Sequence, residues 1–140
     1  IHGYHRYADK FGEFAFYGSD APAIQDSLRR QPEYAERLHP RLPLVAGQVV
    51  WAVREEMART VDDVLARRTR SLLFDAQAAI EASPKVAKWM AAELGKDELW
   101  VADQIRDFLQ VAKRYLVSEL VSHHRAVSYT HLTLPTIYSV

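Results

Sequence analysis

Arg67, Arg68 and Arg70 close the run Arg54-Glu-Glu-Met-Ala-Arg-Thr-Val-Asp-Asp-Val-Leu-Ala-Arg-Arg-Thr-Arg70, and they are the side chains here best suited to hold an anion. Guanidinium forks match phosphate oxygens in shape and charge, so three in four positions can bind a phosphate. A structural reading competes. Thr60 followed by Asp63 has the spacing of a capping box, with Asp where Glu is usual. Asp62 and Asp63 then face the positive end of that helix's dipole, and Arg67 and Arg68 face its negative end. On this reading the arginines finish a helix and dock onto a neighbouring domain. His2 and His5 are three apart, a spacing that can ligate a metal on a helix, but Gly3 lies between them and no third ligand is near. A hydrogen-bonded or solvated pair fits them better. Glu55, Glu56, Asp75, Glu81 and Glu93 offer carboxylates, none with a His at a spacing that marks an acid/base pair, so surface solvation explains them. Two helices meeting near 58–60 have the outline of a helix-turn-helix. Asp62 and Asp63 would then sit where phosphate contact is needed, which argues against nucleic acid.

Motifs that identify an enzyme are missing from the chain. There is no Gly-x-Gly-x-x-Gly after a strand, no phosphate-binding P-loop, no nucleophile elbow and no zinc spacing. Lys+Arg and Asp+Glu balance at 18 each, so no global field favours nucleic acid or an anionic membrane. No cysteine is present, which removes thiolate and disulfide chemistry and sits easily with a reducing cytoplasm. No apolar run approaches the roughly 20 residues of a membrane helix. With 140 residues the chain is one domain with room for a core. Five glycines among many Ala, Leu, Arg, Glu and Gln point to helices.

The elements that must carry these side chains follow from punctuation and period. Residues 1–16 are rich in aromatics without a period of two or 3.6, and read as a segment packing its rings on the helices or on a further domain. Ser19 or Asp20 then caps a helix in which Pro22 takes an early position and Ile24 and Leu28 share a face, until Pro32 ends it. Residues 44–57 are apolar almost all round, the pattern of a buried central helix; Gln48 there needs a partner, and Gly47 implies a close helix crossing. Val61, Val64 and Leu65 form the inward stripe of the next helix. Residues 72–82 read as helical, broken at Ser83-Pro84, with Pro84 opening a helix to Leu94 whose face is Ala87, Met90, Ala91 and Leu94. Gly95 is the expected terminator and Asp97 the next cap. Val101, Ile105, Phe108, Leu109, Ala112 and Leu116 then line a last helix that should end near Val117 or Val121. The expected fold is all-α: a compact orthogonal bundle of about five or six helices with an irregular aromatic-rich N-terminal segment.

Both ends read as foreign to a complete protein. The chain opens at Ile1 without an initiator Met, in loop-like sequence and without a signal peptide. From Val127 the pattern turns to a Thr-rich, β-type run that resembles the conceptual translation of a transposon-end sequencing adapter. The expected organisation is a connecting segment over 1–18, a helical domain over 19–121 and a tail over 122–140, with 127–140 an assembly artefact.

The run Arg54–Arg70 resembles the C-terminal helical domain of FAD-dependent, quinone-linked glycerol-3-phosphate dehydrogenases. Agreement continues through Phe74-Asp75-Ala76, Ala79-Ile80-Glu81-Ala82, Pro84-Lys85-Val86-Ala87, Met90-Ala91-Ala92-Glu93-Leu94-Gly95 and the 108–116 helix. Upstream, Ile1-His2-Gly3-Tyr4-His5 and Tyr17-Gly18-Ser19-Asp20-Ala21-Pro22 are similar to bacterial members, although many relatives carry Arg where Asp20 stands. The resemblance implies a parent flavoprotein that oxidises sn-glycerol 3-phosphate to dihydroxyacetone phosphate, peripheral on the cytoplasmic face of the inner membrane through its use of quinone. It implies that FAD and substrate bind in an upstream domain. This chain would then hold no catalytic, cofactor or metal residue, and Arg67, Arg68 and Arg70 would be contacts for docking or for an anion. An autonomous helical interaction module is the alternative.

Overall fold

Prolines, glycines and capping carboxylates divide the chain into its helices, and the computed structural model describes them over residues 8–132, with side chains from Phe14 to Leu116. The α-helices are α1 (Ala21–Arg30), α2 (Ala46–Glu55), α3 (Ser71–Phe74), α4 (Ala76–Leu94) and α5 (Glu98–Leu132). Tighter or wider turns fill the gaps: 3-10 turns over Ala8–Asp20 and Pro32–Ala35, and a π-helical turn over Asp63–Arg68. The only extended pairing among the described residues is a single antiparallel bridge between Arg37 and Val45, so the fold is all-α. The His2/His5 pair lies outside the described residues.

α4 is the axis. Its small side chains Ala76, Ala78, Ala79, Ala82, Ala87 and Ala91 are buried and let α2 and α5 approach it on different sides. Larger groups fill what remains: Val49 of α2, Val61, Val64 and Leu65 before α3, Leu72 of α3, Met90 of α4 and Phe108 of α5 join one core. Burying each of these larger side chains is worth about 1.5–3 kcal/mol before entropy.

Gly47 shows how tight the crossings are. A Cβ there would lie 2.5 Å from Leu28 Cδ2 and 3.3 Å from the Tyr34 carbonyl oxygen, so the residue must be small for α1 and the turn after it to rest on α2. Gln48 has its partners. Its Oε1 accepts from Val45 N–H at 2.9 Å and its Nε2 donates to the Tyr17 hydroxyl at 3.3 Å, tying α2 to the aromatic segment.

Several boundaries differ from the sequence reading, each for a local reason. Pro84 does not open a helix; it lies inside α4. The hydrogen bond it cannot donate would have gone to the Ile80 carbonyl, and the Ser83 hydroxyl donates there instead at 2.7 Å. The break falls earlier, at Asp75, whose extended backbone and Oδ1 contact with Ala78 N–H (2.9 Å) make it the cap of α4. Asp20 flanks α1 in a helical conformation without a side-chain cap, so the expected Ser19/Asp20 cap is not formed. α2 starts at Ala46 and stops at Glu55, leaving Leu44 buried in the preceding loop and Met57 outside at φ 61°. Over Ala8–Asp20 the aromatic segment forms 3-10 turns broken by non-helical backbone at Gly12 and Gly18, in keeping with the irregular segment expected there.

The boundary between α4 and α5 is as expected. Gly95 ends α4 at φ 68°, with Lys96 N–H reaching back to the Ala91 carbonyl at 2.9 Å. Asp97 caps α5 through Trp100 N–H at 2.9 Å. α5 then continues past Val117 and Val121 to Leu132, through residues expected to belong to a β-type tail. Unfavourable propensity costs less than about 1 kcal/mol per residue, and extending a helix already nucleated is easier than starting one.

Candidate functional site

The segment between α2 and α3 begins and ends in strained backbone. Met57 (φ 61°) and Arg70 (φ 55°) are the non-glycine residues with left-handed φ among those described. Each conformation costs roughly 1–2 kcal/mol for an L-residue. Between them the capping box is closed: Asp63 N–H donates to Thr60 Oγ1 at 3.1 Å, and Asp63 Oδ2 accepts from Thr60 N–H at 3.1 Å and Arg59 N–H at 2.9 Å. Burial pushes the Asp63 carboxyl up, but the Arg59 and Thr60 N–H groups, the Thr60 side chain and the Arg67 guanidinium outweigh it and hold the group below the usual carboxylate range.

The turn that follows is π-helical instead of the expected α-helix. Thr69 supplies the reason, because its N–H (2.9 Å) and its hydroxyl (2.8 Å) both donate to the Val64 carbonyl five residues back. The wide turn brings the chain to Arg70 in its left-handed conformation, from which α3 departs.

This geometry separates the three arginines. Arg67 is exposed and reaches back to Asp62 (3.8 Å) and Asp63 (3.6 Å), neutralising the opposite end of its own helix. Arg68 faces Glu56 across a groove of about 540 Å³ lined by Phe16, Tyr17, Trp51, Met57 and Arg67 among others. Arg70 lines a second hollow of about 190 Å³ with Phe16, Leu42, Ser71 and Phe74. The trio therefore forms no single phosphate clamp: two members share one groove, and the third looks into another.

Phe16 belongs to the walls of both grooves and stands between them. It is 63% exposed, Met57 75% and Phe74 72%, although such side chains normally bury themselves. Tyr17, next along the chain and 4.2 Å from Phe16 ring to ring, is by contrast buried, in a small core with Ala21 and Ile24. Burial raises its phenol to about 12 despite the hydrogen bond from Gln48. Partial burial also raises the Glu56 carboxyl; Arg68 pulls it down and Asp20 pushes it up. The indole Nε1 of Trp51, in the same wall, is buried without a hydrogen-bond partner.

Sequence reasoning missed the apolar half of this face. The apolar run over 44–57 places Met57 in the buried helix, whereas α2 ends before it. Phe74 is the last residue of α3, next to the Asp75 cap of α4, and stands exposed while Leu72 of the same turn is buried. An aromatic residue beside a capping residue, out of phase with the core, is the signal that could have marked it.

The carboxylates need a correction too. His39 Nε2 meets Glu81 Oε1 at 3.3 Å across 42 positions of sequence, a pairing no local spacing could announce. Arg41 joins Asp75 at 3.0 Å and Glu81 at 3.5 Å, so the group staples the proline-bounded loop to α4. Glu93 holds Arg54 in a two-pronged contact at 2.8 and 3.0 Å. These contacts, more than solvation, account for Asp75, Glu81 and Glu93. Among the described residues no group of three His, Cys, Asp or Glu is placed to hold a metal ion.

Comparison with known proteins bears on what such a face serves. The family described as the C-terminal domain of alpha-glycerophosphate oxidase matches residues 14–99, which include both grooves, the three arginines and all of α4. Among similar proteins, one of Caenorhabditis elegans named "Probable glycerol-3-phosphate dehydrogenase, mitochondrial" is 33% identical over 76% of this chain and 14% of its own length. The glycerol-3-phosphate dehydrogenase of Synechocystis is 30% identical over 74% of this chain and 18% of its own. The mitochondrial glycerol-3-phosphate dehydrogenase of Rattus norvegicus is 30% identical over 90% of this chain and 16% of its own. The chain thus spans less than a fifth of the length of these relatives. No solved structure matches it. With a family match running from the aromatic segment through α4, the chain belongs to the family of the C-terminal domain of alpha-glycerophosphate oxidase.

Proposed function

We propose that this chain serves as the C-terminal helical domain of a FAD-dependent glycerol-3-phosphate dehydrogenase. The parent oxidises sn-glycerol 3-phosphate to dihydroxyacetone phosphate and delivers electrons to a quinone. The observation that carries this reading is the family match over 14–99, joined to relatives named glycerol-3-phosphate dehydrogenase and several times longer than the chain.

The described residues do not fit a dinucleotide. They form no parallel sheet, and the sequence has no Gly-x-Gly-x-x-Gly turn to bring backbone N–H groups against a pyrophosphate. On this reading FAD and substrate bind in the preceding part of the parent, and this domain supports that part. Among the described residues no helix is long and apolar enough to cross a membrane. A parent that reduces a quinone works peripherally, on the cytoplasmic face of the inner membrane.

Recovering the reading frame upstream of Ile1 from the same DNA tests the proposal. A strand, a Gly-x-Gly-x-x-Gly turn and a helix near the start of that frame are expected. A frame without a dinucleotide-binding opening would overturn it.

A further inference from the structure

We infer that the face carrying Phe16, Met57 and Phe74, with Arg68 and Arg70 beside them, is the surface on which the preceding domain of the parent chain seats. This assignment rests on the proposed function and names the face, which that proposal leaves open.

Four observations converge. Large apolar side chains stand out of two adjoining grooves with Phe16 common to both, so the exposed apolar surface is continuous across them. Two of the residues displayed there, Met57 and Arg70, are held in left-handed backbone, a conformation the chain's own packing does not reward because both side chains are exposed. The chain reaches this face from its N-terminal side, through the aromatic segment that ends at Phe16 and Tyr17. More than four fifths of each relative's length lies outside the matched domain, ample to cover it.

Charge selects the kind of occupant. The larger groove presents Asp20, Glu55 and Glu56 together with Arg67 and Arg68. Carboxylates on the rim repel an anionic membrane or a nucleic acid, whereas mixed signs around an apolar centre suit a folded protein surface. Arg68 and Glu56 then act as the polar edge of an interface whose centre is Phe16, Met57 and Phe74. Elsewhere, Leu99 is 70% exposed in the first turn of α5 but lines neither groove, and it serves as the control.

The test uses the full-length parent, with the photo-crosslinker p-benzoylphenylalanine installed in turn at positions 57, 74 and 99. Irradiation followed by peptide mass spectrometry should join 57 and 74 to peptides of the preceding domain within one chain, and should join 99 to none of them. Links from 57 and 74 only to a second copy or to lipid, or none into the preceding domain, would overturn the assignment. Flavin absorbance and glycerol 3-phosphate oxidation, read on the same samples, separate the two levels. An active flavoprotein without the links refutes this face alone, whereas a parent that holds no flavin refutes the functional reading beneath it.

Discussion

The two sides of this domain obey different rules. Around α4 the apolar side chains close on one another: Val86, Ala87, Met90, Phe108 and Ala112 are all buried, and the helix ends there are capped by Asp75, Gly95 and Asp97. On the side of Arg54–Arg70, large apolar residues stand in solvent, the backbone twice adopts a left-handed turn, and a π-helical turn replaces an α-helical one. A region that satisfies itself is a core. One that holds strain and exposed rings is built for something outside it.

Substitutions can break that contrast, and the largest effect should come from the closed side. Phe108→Ala is expected to cost about 3–5 kcal/mol, seen as a large drop in the denaturation midpoint of the chain, because a ring only 2% exposed leaves a cavity. A small effect would mean that α5 is not seated as described. Gln48→Leu tests the seam between the two sides. It leaves Val45 N–H and the Tyr17 hydroxyl without their partner, and should cost about 1–3 kcal/mol in denaturant unfolding.

On the open side the sign should reverse. Met57→Gly removes an exposed side chain and relieves a φ of 61°, so the chain by itself should gain up to about 1 kcal/mol. The full-length parent, which loses a contact, should not share that gain. Calorimetric melting of both proteins gives the comparison, and an equal gain in each would detach Met57 from any interface.

The smallest effect is electrostatic. Hydrogen bonding holds the Asp63 carboxyl low in the fold, and the Ala78 N–H, partly offset by burial and helped by Arg41, does the same for Asp75. A carboxylate with a depressed folded pKa stabilises the fold fully above its ordinary value near 4, and that stability is lost as pH falls through the lower folded value. Thermal melts should therefore decline below about pH 4. The double variant Asp63→Asn with Asp75→Asn should flatten that decline; an unchanged slope would mean that other carboxylates control it.

The closed side is also the legible one. Gly95, Asp97 and the stripe through Met90 are local signals, each read from spacing a few residues wide and each found in place. Gln48 announces its need for a partner without naming it, because Tyr17 is 31 positions away. Pro84 misleads, since the Ser83 hydroxyl repairs the carbonyl that proline leaves unpaired. On the open side the Thr60–Asp63 box is found in place, and the rest is legible only as a motif. Its charges can be assigned to a helix dipole, but nothing local predicts that α2 stops at Glu55 and turns Met57 outward, or that Thr69 widens the turn before Arg70. Those outcomes depend on contacts across the fold and, if this face is an interface, on a surface that belongs to another domain.

Hydrogen exchange tests the covering of this face most directly, by comparing the full-length parent with this chain alone. Amides over 57–74 should exchange more slowly in the parent, while those of α4 exchange alike in both. Equal exchange over 57–74 in the two proteins would contradict the claim that this face is covered.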